Sequence, residues 1–267
     1  AMDGGLGYAD IVNKYKETFG DAVNVYCMII PTAVAIYCPE EAKDWTKDQR
    51  ATVRNIYGHL SKDVKAIDLF DTMDEHADEE IYSRTDHHWA PLGAYYAAGQ
   101  FAEQAGVPFV DLSTYEKHVI HDYVGTMYRF SRDAAVKNAP EDFVYYVPKD
   151  VDYTTTYIRY QLGKNRKVVS EKEPEEGDFF YTYDDGSSAA YMTFMHGDLN
   201  TTKVKTSTRN GRRLLILKDS YGNALPAYLF HSFEEIHVVD CRYFTKNIIH
   251  YVQKNDITDI LFANNAG

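Results

Sequence analysis

The chain has 267 residues, of which 45% are hydrophobic and 25% are charged, enough to build one large α/β domain or two small ones. Lysine and arginine number 28 against 40 aspartate and glutamate, so the formal net charge is −12. This acidity argues against nucleic-acid binding and against charge-driven attachment to an anionic membrane. We therefore expect no nucleic-acid partner.

The first hundred residues alternate predicted helices and strands. Apolar residues at helical spacing predict helices over 8–19 and 44–60, and buried strands are predicted over 23–30 and 64–70. The acidic stretch 71–80 is predicted to be a loop or a short helix. Pro91 suits the first turn of a helix, which we predict to run from 91 to 106.

The rest of the chain predicts a mainly parallel sheet with a β-rich addition. Strand-like runs at 143–147 and 154–158 alternate with polar turns, which predicts a β-rich insertion over about 130–210 within a single 1–267 domain. Downstream, strands are predicted at 214–217, 235–240 and 258–263, and helices at 222–230 and 243–254. Short apolar strands alternating with helices indicate an α/β fold with helices on both faces of the sheet.

Polar residues follow three of these predicted strands, as Asp219-Ser220, Asp240-Cys241-Arg242 and Asn264-Asn265. Ligands of open parallel sheets bind outside the carboxyl ends of the strands, so the three clusters are expected to converge. Ser220 is the candidate nucleophile, at a turn whose backbone N–H groups can stabilise an oxyanion. The alternative is that Asp219 or Ser220 only caps the following helix.

The segment Thr85-Asp86-His87-His88-Trp89 supplies a candidate base. His88 would take the proton of the serine, and Asp86 would fix its tautomer. In an extended segment Asp86 and His88 face one side and His87 points away. Two alternatives are a helix cap beside a surface histidine, and a metal site that adds His118 and His121. That ligand set is incomplete, so we predict no metal and no cofactor.

Four further residues are candidates for contacts with substrate. Arg242 and Asn264 are suited to polarising a carbonyl or binding a sugar hydroxyl, and Trp89 and Tyr221 adjoin the base and the nucleophile. The 23 tyrosines fit a carbohydrate groove. For all of these residues the alternative is an ordinary structural role, such as a half-buried strand position for tyrosine.

The sequence Thr-Asp-His-His-Trp-Ala-Pro-Leu-Gly-Ala-Tyr-Tyr-Ala at 85–97 resembles the signature of the DHHW protein family, which is related to the alginate O-acetylation proteins of the AlgJ and AlgX type in the SGNH hydrolase superfamily. Residues 217–224 resemble the serine block of that family, and residues 235–243 also resemble the family sequence. The Asp-x-His block precedes the serine block, the permuted order of the AlgJ and AlgX type. Two departures are Lys218, where ordinary SGNH enzymes have glycine, and 262–265, which lack their Gly-x-Asn-Asp pattern.

The resemblance implies an SGNH-hydrolase-like, flavodoxin-type sheet with Ser220 as nucleophile, His88 as base and Asp86 as orienting acid. It also implies O-acetylation or deacetylation of an extracellular polysaccharide or other acetylated carbohydrate, a secreted or cell-surface location with the export signal removed, and a membrane-bound acyltransferase as acetyl donor. Two other functions remain open: a non-catalytic carbohydrate-binding protein with the same fold, and a metal-dependent hydrolase built on His87 and His88.

Overall fold

The computed structural model describes residues 5–37, 43–127, 135, 138–244 and 246–267. Within these residues the helices are α1 (Leu6–Phe19), α2 (Ala33–Tyr37), α3 (Lys43–His59), α4 (Phe70–Glu75), α5 (Pro91–Ala105) and α6 (Ile248–Lys254). The strands are β1 (Asn24–Ile30), β2 (Lys65–Ile67), β3 (Glu116–Tyr123), β4 (Glu141–Val147), β5 (Tyr153–Leu162), β6 (Val168–Glu171), β7 (Glu175–Gly177), β8 (Asn200–Thr206), β9 (Arg213–Lys218), β10 (Glu235–Asp240) and β11 (Asp259–Asn265). None of the described helices combines the length and the apolar character that crossing a membrane requires.

Nine of the described strands form one sheet, in the order β2-β1-β11-β9-β10-β8-β5-β6, with β7 also paired to β5. The five strands from β2 to β10 in this order run parallel, and the strands beyond β10 pair antiparallel. The parallel strands are nearly continuous runs of buried residues, as expected where helices cover both faces. The predicted α/β class with a mainly parallel central sheet is confirmed.

Helices cover both faces of the parallel strands. Tyr15 of α1 packs edge-on against Phe262 of β11, with ring centroids 5.1 Å apart. Phe101 of α5 packs edge-on against Tyr26 of β1 at 5.0 Å. Tyr26 lies beside Leu261 in the sheet, and neighbouring residues of a strand point to opposite faces. The two helices therefore bury opposite faces, and α5, which follows the Asp-His-His segment, lies on the Tyr26 face.

The described part of the region 130–210 is rich in strands, and these strands belong to two sheets. β5 to β8 extend the main sheet through the antiparallel pairing of β8 with β10. β4 pairs with β3, which precedes the predicted insertion, in a separate two-stranded sheet. Since β5 to β8 share a sheet with β1, we propose that residues 1–267 form one domain and that the insertion extends its sheet.

Several predicted elements differ from those in the structure. The predicted helix 222–230 is replaced by two short 3₁₀ segments, Ser220–Ala224 and Pro226–Tyr228. Pro226 has no N–H to donate to an α-helical bond, so the helix does not continue through it. The predicted helix 243–254 begins as an α-helix only at Ile248, where the Asn247 side chain accepts from the N–H of His250.

Candidate active site

Two distant segments meet at the carboxyl end of β9. The first is the histidine loop, residues 83–90, which enters α5; the second is the serine turn, residues 219–224, which follows β9. His88 Nδ1 lies 2.6 Å from Asp86 Oδ2, and His88 Nε2 lies 2.8 Å from Ser220 Oγ. The three side chains thus form one hydrogen-bonded chain, although His88 and Ser220 are 132 positions apart in the sequence.

Asp86 is buried, with 2% of its surface exposed, and its second oxygen is also bonded. Oδ1 accepts from the backbone N–H of Thr126 at 2.9 Å and from the Thr126 hydroxyl at 2.5 Å. Burial raises the pKa of Asp86, but the bonds from His88 and Thr126 outweigh burial and hold it well below its ordinary value. Gly125 allows this close approach, since a Cβ there would lie 2.4 Å from the Asp86 Cβ.

The ionised carboxylate determines the tautomer of His88. A carboxylate only accepts, so the Nδ1 of His88 must carry the proton that it donates to Asp86. The Nε2 of the neutral ring is then an acceptor, and the hydroxyl of Ser220 donates to it. This is the arrangement that a histidine needs to remove a proton from serine.

The serine turn is held by Asp219, whose carboxylate makes three hydrogen bonds. Oδ1 accepts from the N–H of Tyr221 at 3.0 Å, and Oδ2 accepts from both the backbone and the side-chain amide of Asn265 at 2.7 Å. The predicted helix-cap role of Asp219 therefore accompanies the nucleophile and does not exclude it. Gly222 packs directly on Lys218, where a Cβ would lie 2.4 Å from the lysine Cβ.

Lys218, the departure from the usual glycine, is buried and bonded. Its Nζ donates to Asp198 at 2.8 Å, and Asp198 also accepts from Asn223 of the serine turn. The pKa of Asp198 is lowered because the charge and hydrogen bond of Lys218 outweigh the effect of burial. The lysine thus takes part in anchoring the turn.

Tyr191 contacts both His88 and Ser220, the two residues called the dyad below. Its ring is stacked on the imidazole of His88, with centroids 3.9 Å apart and planes at 9°. Its hydroxyl lies 2.8 Å from the carbonyl oxygen of Ser220 and 2.9 Å from that of Tyr221, so its single proton is shared between them. No sequence motif marks this residue, which lies in the β-rich region.

Two more residues that the sequence did not indicate support the histidine loop. The Glu141 carboxylate of β4 accepts from Ser83 Oγ at 2.6 Å and from the N–H of Thr85 at 2.8 Å. Thr126 holds Asp86, as described above. Both lie beyond α5 in the chain, so only the tertiary fold brings them to the loop.

Trp89 and Tyr221, predicted to contact substrate, are only 1% and 2% exposed. The indole N–H of Trp89 donates to the carbonyl of Tyr221 at 3.0 Å, and the Tyr221 hydroxyl donates to the carbonyl of His87 at 2.5 Å. These bonds join the histidine loop to the serine turn. We therefore place both residues in the support of the site, and correct the prediction that they face substrate.

Asn264 and Arg242 have partners of their own. The Asn264 Oδ1 accepts from the hydroxyl of Tyr8 in α1 at 2.7 Å, on the sheet face opposite to Asn265. The neighbouring Asn265 is the residue of this strand end that bonds to the serine turn. The Arg242 guanidinium is bonded to Asp240 at 2.6 Å and 3.0 Å. Substrate contact by Asn264 or Arg242 stays a prediction.

The prediction that His87 points away from His88 is wrong. The ring centroids are 3.8 Å apart, because the histidine loop is a series of bends and not an extended strand. Asp86, His87 and His88 are also the one group among the described residues that is close enough to share a metal ion. However, Asp86 and His88 bond to each other, while His118 and His121 pair with Glu116 and Asp142 in β3 and β4. The donor set therefore does not fit a metal well.

Truncating Tyr191 tests its contacts with the dyad. For the acyl chemistry that the sequence predicts, we expect Tyr191→Leu to lower kcat for a chromogenic acetyl ester about 100-fold, because both the ring stack and the hydroxyl are lost and the reacting atoms shift. Tyr191→Phe keeps the stack, and about a tenfold loss is expected from the missing hydrogen bond. Tyr37→Leu, which truncates an exposed tyrosine, is the matched control, with thermal melting to compare folding. Wild-type kcat in the Leu variant would contradict this role.

The chain resembles known proteins in sequence and in fold. The family model for the DHHW protein matches residues 5–239. The chain belongs to the DHHW family. A crystal structure of a DHHW family protein from Eubacterium siraeum is 41% identical and has a TM-score of 0.88, covering 98% of this chain and 84% of that one. No curated protein matches the DHHW chain described here.

More distant solved structures share the fold of this DHHW protein. Bacillus cereus PatB1 with a sulfonyl adduct is 19% identical with a TM-score of 0.73, covering 99% of this chain and 88% of that one. The O-acetyltransferase domain of Pseudomonas putida AlgJ is 16% identical with a TM-score of 0.50, covering 98% and 82%. The predicted SGNH-hydrolase-like fold is confirmed, and AlgJ is among the proteins that share it.

Proposed function

We propose that the protein is a serine-dependent O-acyltransferase that forms an acetyl-serine on Ser220. The observation that carries the proposal is the continuous chain from Asp86 through His88 to Ser220, with contacts of 2.6 Å and 2.8 Å. A hydroxyl at an ordinary surface position is a weak nucleophile, and a histidine in the accepting tautomer is what activates it. The O-acetyltransferase domain of AlgJ, which shares the fold, supports acetyl as the group transferred.

In the proposed mechanism the proton of Ser220 moves to Nε2 of His88 as Oγ attacks the acetyl carbonyl of a donor. The oxyanion is held by the N–H of Ser220, which starts the 3₁₀ segment, whereas the N–H groups of Tyr221 and Gly222 bond to Asp219. Collapse breaks the bond to the donor oxygen, which takes the proton from His88.

The second half of the reaction runs in the reverse sense. An acceptor hydroxyl gives its proton to His88 and attacks the acetyl-serine, and Ser220 then leaves with that proton. We propose an extracellular polysaccharide as the acceptor and a membrane-bound acyltransferase as the donor, as the family resemblance implies. With water as the acceptor the same site is an esterase, because the difference lies in how the site excludes water.

A sulfonyl fluoride tests the proposal without knowledge of either substrate. Phenylmethylsulfonyl fluoride should sulfonylate Ser220 Oγ with loss of fluoride, an expectation supported by the sulfonyl adduct held by PatB1. Intact-mass spectrometry should show one adduct on the wild type and on Ser188→Ala, which changes an exposed serine. Ser220→Ala should take up none, and His88→Ala should react at least about 100-fold more slowly.

An unlabelled wild type, or a label that persists in Ser220→Ala, would refute Ser220 as the activated nucleophile. In the first case the non-catalytic carbohydrate-binding alternative would become the better explanation. The short contact between His88 and Ser220 counts against that alternative, because a binding protein does not need a base within hydrogen-bond reach of a serine.

A further inference from the structure

His87 is a part of the site that the proposed mechanism does not use. Its side chain is half exposed, unlike those of Asp86 and His88, which are 3% and 7% exposed. Its ring lies against one face of the His88 imidazole at 3.8 Å, while Tyr191 is stacked on the other face at 3.9 Å. His87 is therefore on the solvent side of the base.

The hydrogen bonds of Thr126 decide which nitrogen of His87 carries a proton. Thr126 has one hydroxyl proton, which it donates to the carboxylate of Asp86. The contact of 2.6 Å between Thr126 Oγ1 and His87 Nδ1 must then be donated by His87. The Nε2 of the neutral ring is left as a hydrogen-bond acceptor, and it has no partner among the described residues.

The ring is neutral near neutral pH. Burial is the main cause that lowers the pKa of His87, the electrostatic interaction with the neighbouring His88 adds to it, and the carboxylates of Asp86 and Asp219 oppose this only in part. An exposed, unprotonated Nε2 beside the catalytic imidazole accepts hydrogen bonds but cannot donate one. A hydroxyl is a ligand that can donate to it.

We propose that Nε2 of His87 binds a second hydroxyl of the acyl acceptor, adjacent to the hydroxyl that attacks, so that the site selects vicinal diols. This inference rests on the proposed function. The two imidazoles lie face against face, with centroids 3.8 Å apart. Both Nδ1 atoms contact the bonded pair of Asp86 and Thr126, so both Nε2 atoms lie at the ends of the rings away from that pair, where two neighbouring hydroxyls can reach them together. The attacking hydroxyl gives its proton to His88, and its neighbour donates a hydrogen bond to His87 and keeps its own proton.

Small alcohols test the proposal directly. Acetyl transfer from 4-nitrophenyl acetate to propane-1,2-diol, propane-1,3-diol and propan-1-ol would be measured by gas chromatography, with released nitrophenolate reporting acetylation of Ser220. We expect the wild type to prefer the 1,2-diol over propan-1-ol about 3- to 10-fold, the effect of one hydrogen bond, and to show less preference for the 1,3-diol.

Two substitutions of His87 separate hydrogen bonding from ring stacking. His87→Phe keeps a ring against His88 but has no acceptor atom, so the preference for the 1,2-diol should fall to about 1. His87→Gln loses the ring but places an amide oxygen near the position of Nε2, so it should keep part of the preference. His250→Phe, which changes an exposed histidine of α6, should retain the wild-type ratio.

The outcomes distinguish this inference from the proposed function. A wild type that acetylates Ser220 but transfers to none of the three alcohols, or shows no preference for propane-1,2-diol over propan-1-ol, overturns the diol inference alone. So does an unchanged preference in His87→Phe, or its complete loss in His87→Gln. A wild type that never acetylates Ser220 overturns both proposals.

Discussion

Replacing Ser220 by alanine is expected to lower acetyl-ester turnover by about 10⁵-fold or more, because water must then attack the ester without a covalent intermediate. His88→Ala should cost a similar factor, since the proton of Ser220 then has no acceptor at 2.8 Å. The two losses should not add, and the double variant should be about as slow as either single variant, because the two residues act as one unit.

Steady-state kinetics with a chromogenic acetyl ester measures these losses. Ser188→Ala, at an exposed position of the β-rich region, is the matched control and should keep wild-type kcat. Circular dichroism and thermal melting would show that the variants fold alike. Ser220→Ala within tenfold of the wild type would mean that another group carries out the acyl chemistry.

Asp86→Asn should reduce turnover by about 10⁴-fold with little change in the fold. The N–H and hydroxyl of Thr126 both donate to Oδ1, so the side-chain oxygen of the new asparagine will stay at that position. Its NH₂ group must then face Nδ1 of His88 and donate to it. The imidazole proton must then sit on Nε2, the nitrogen that faces the hydroxyl of Ser220. A protonated Nε2 cannot accept the proton of that hydroxyl.

The same kinetic assay checks Asp86→Asn, with Asp21→Asn as a control at an exposed aspartate. Because the defect is a wrong tautomer and not a lost charge, raising the pH should not restore activity. Turnover within tenfold of the wild type would show that the carboxylate does not set the tautomer of His88.

The sequence indicated His88 and Ser220 as candidates because residue chemistry and chain order are local properties. An acid two residues before a histidine and a serine after a buried strand can each be identified in a short window, and the family resemblance joined the two windows. The distance between His88 and Ser220 is set by the tertiary fold and cannot be read from either segment. Ser220 follows β9, which lies between β10 and β11, and His88 lies in the loop that enters α5 on one face of that sheet.

The supporting residues were not predictable in the same way. Tyr191 reaches the dyad from a region with no motif, and its role depends on a ring stack that only the fold creates. Asn264 and Asn265 are alike in chemistry, and which of them faces the serine turn depends on the register of β11. Trp89 is predicted to contact substrate because exposure cannot be read from its position beside the base, and the structure buries it to 1% exposed.

The position of β11 has a consequence for how the molecule is made. This strand lies between β1 and β9, although it follows both in the chain. During synthesis β1, with six buried residues out of seven, is complete long before the strand that covers one of its edges. Long-range parallel pairing of this kind is slow, and an uncovered apolar edge favours aggregation. Folding yield should therefore depend on keeping nascent chains apart until β11 has emerged and closed the centre of the sheet.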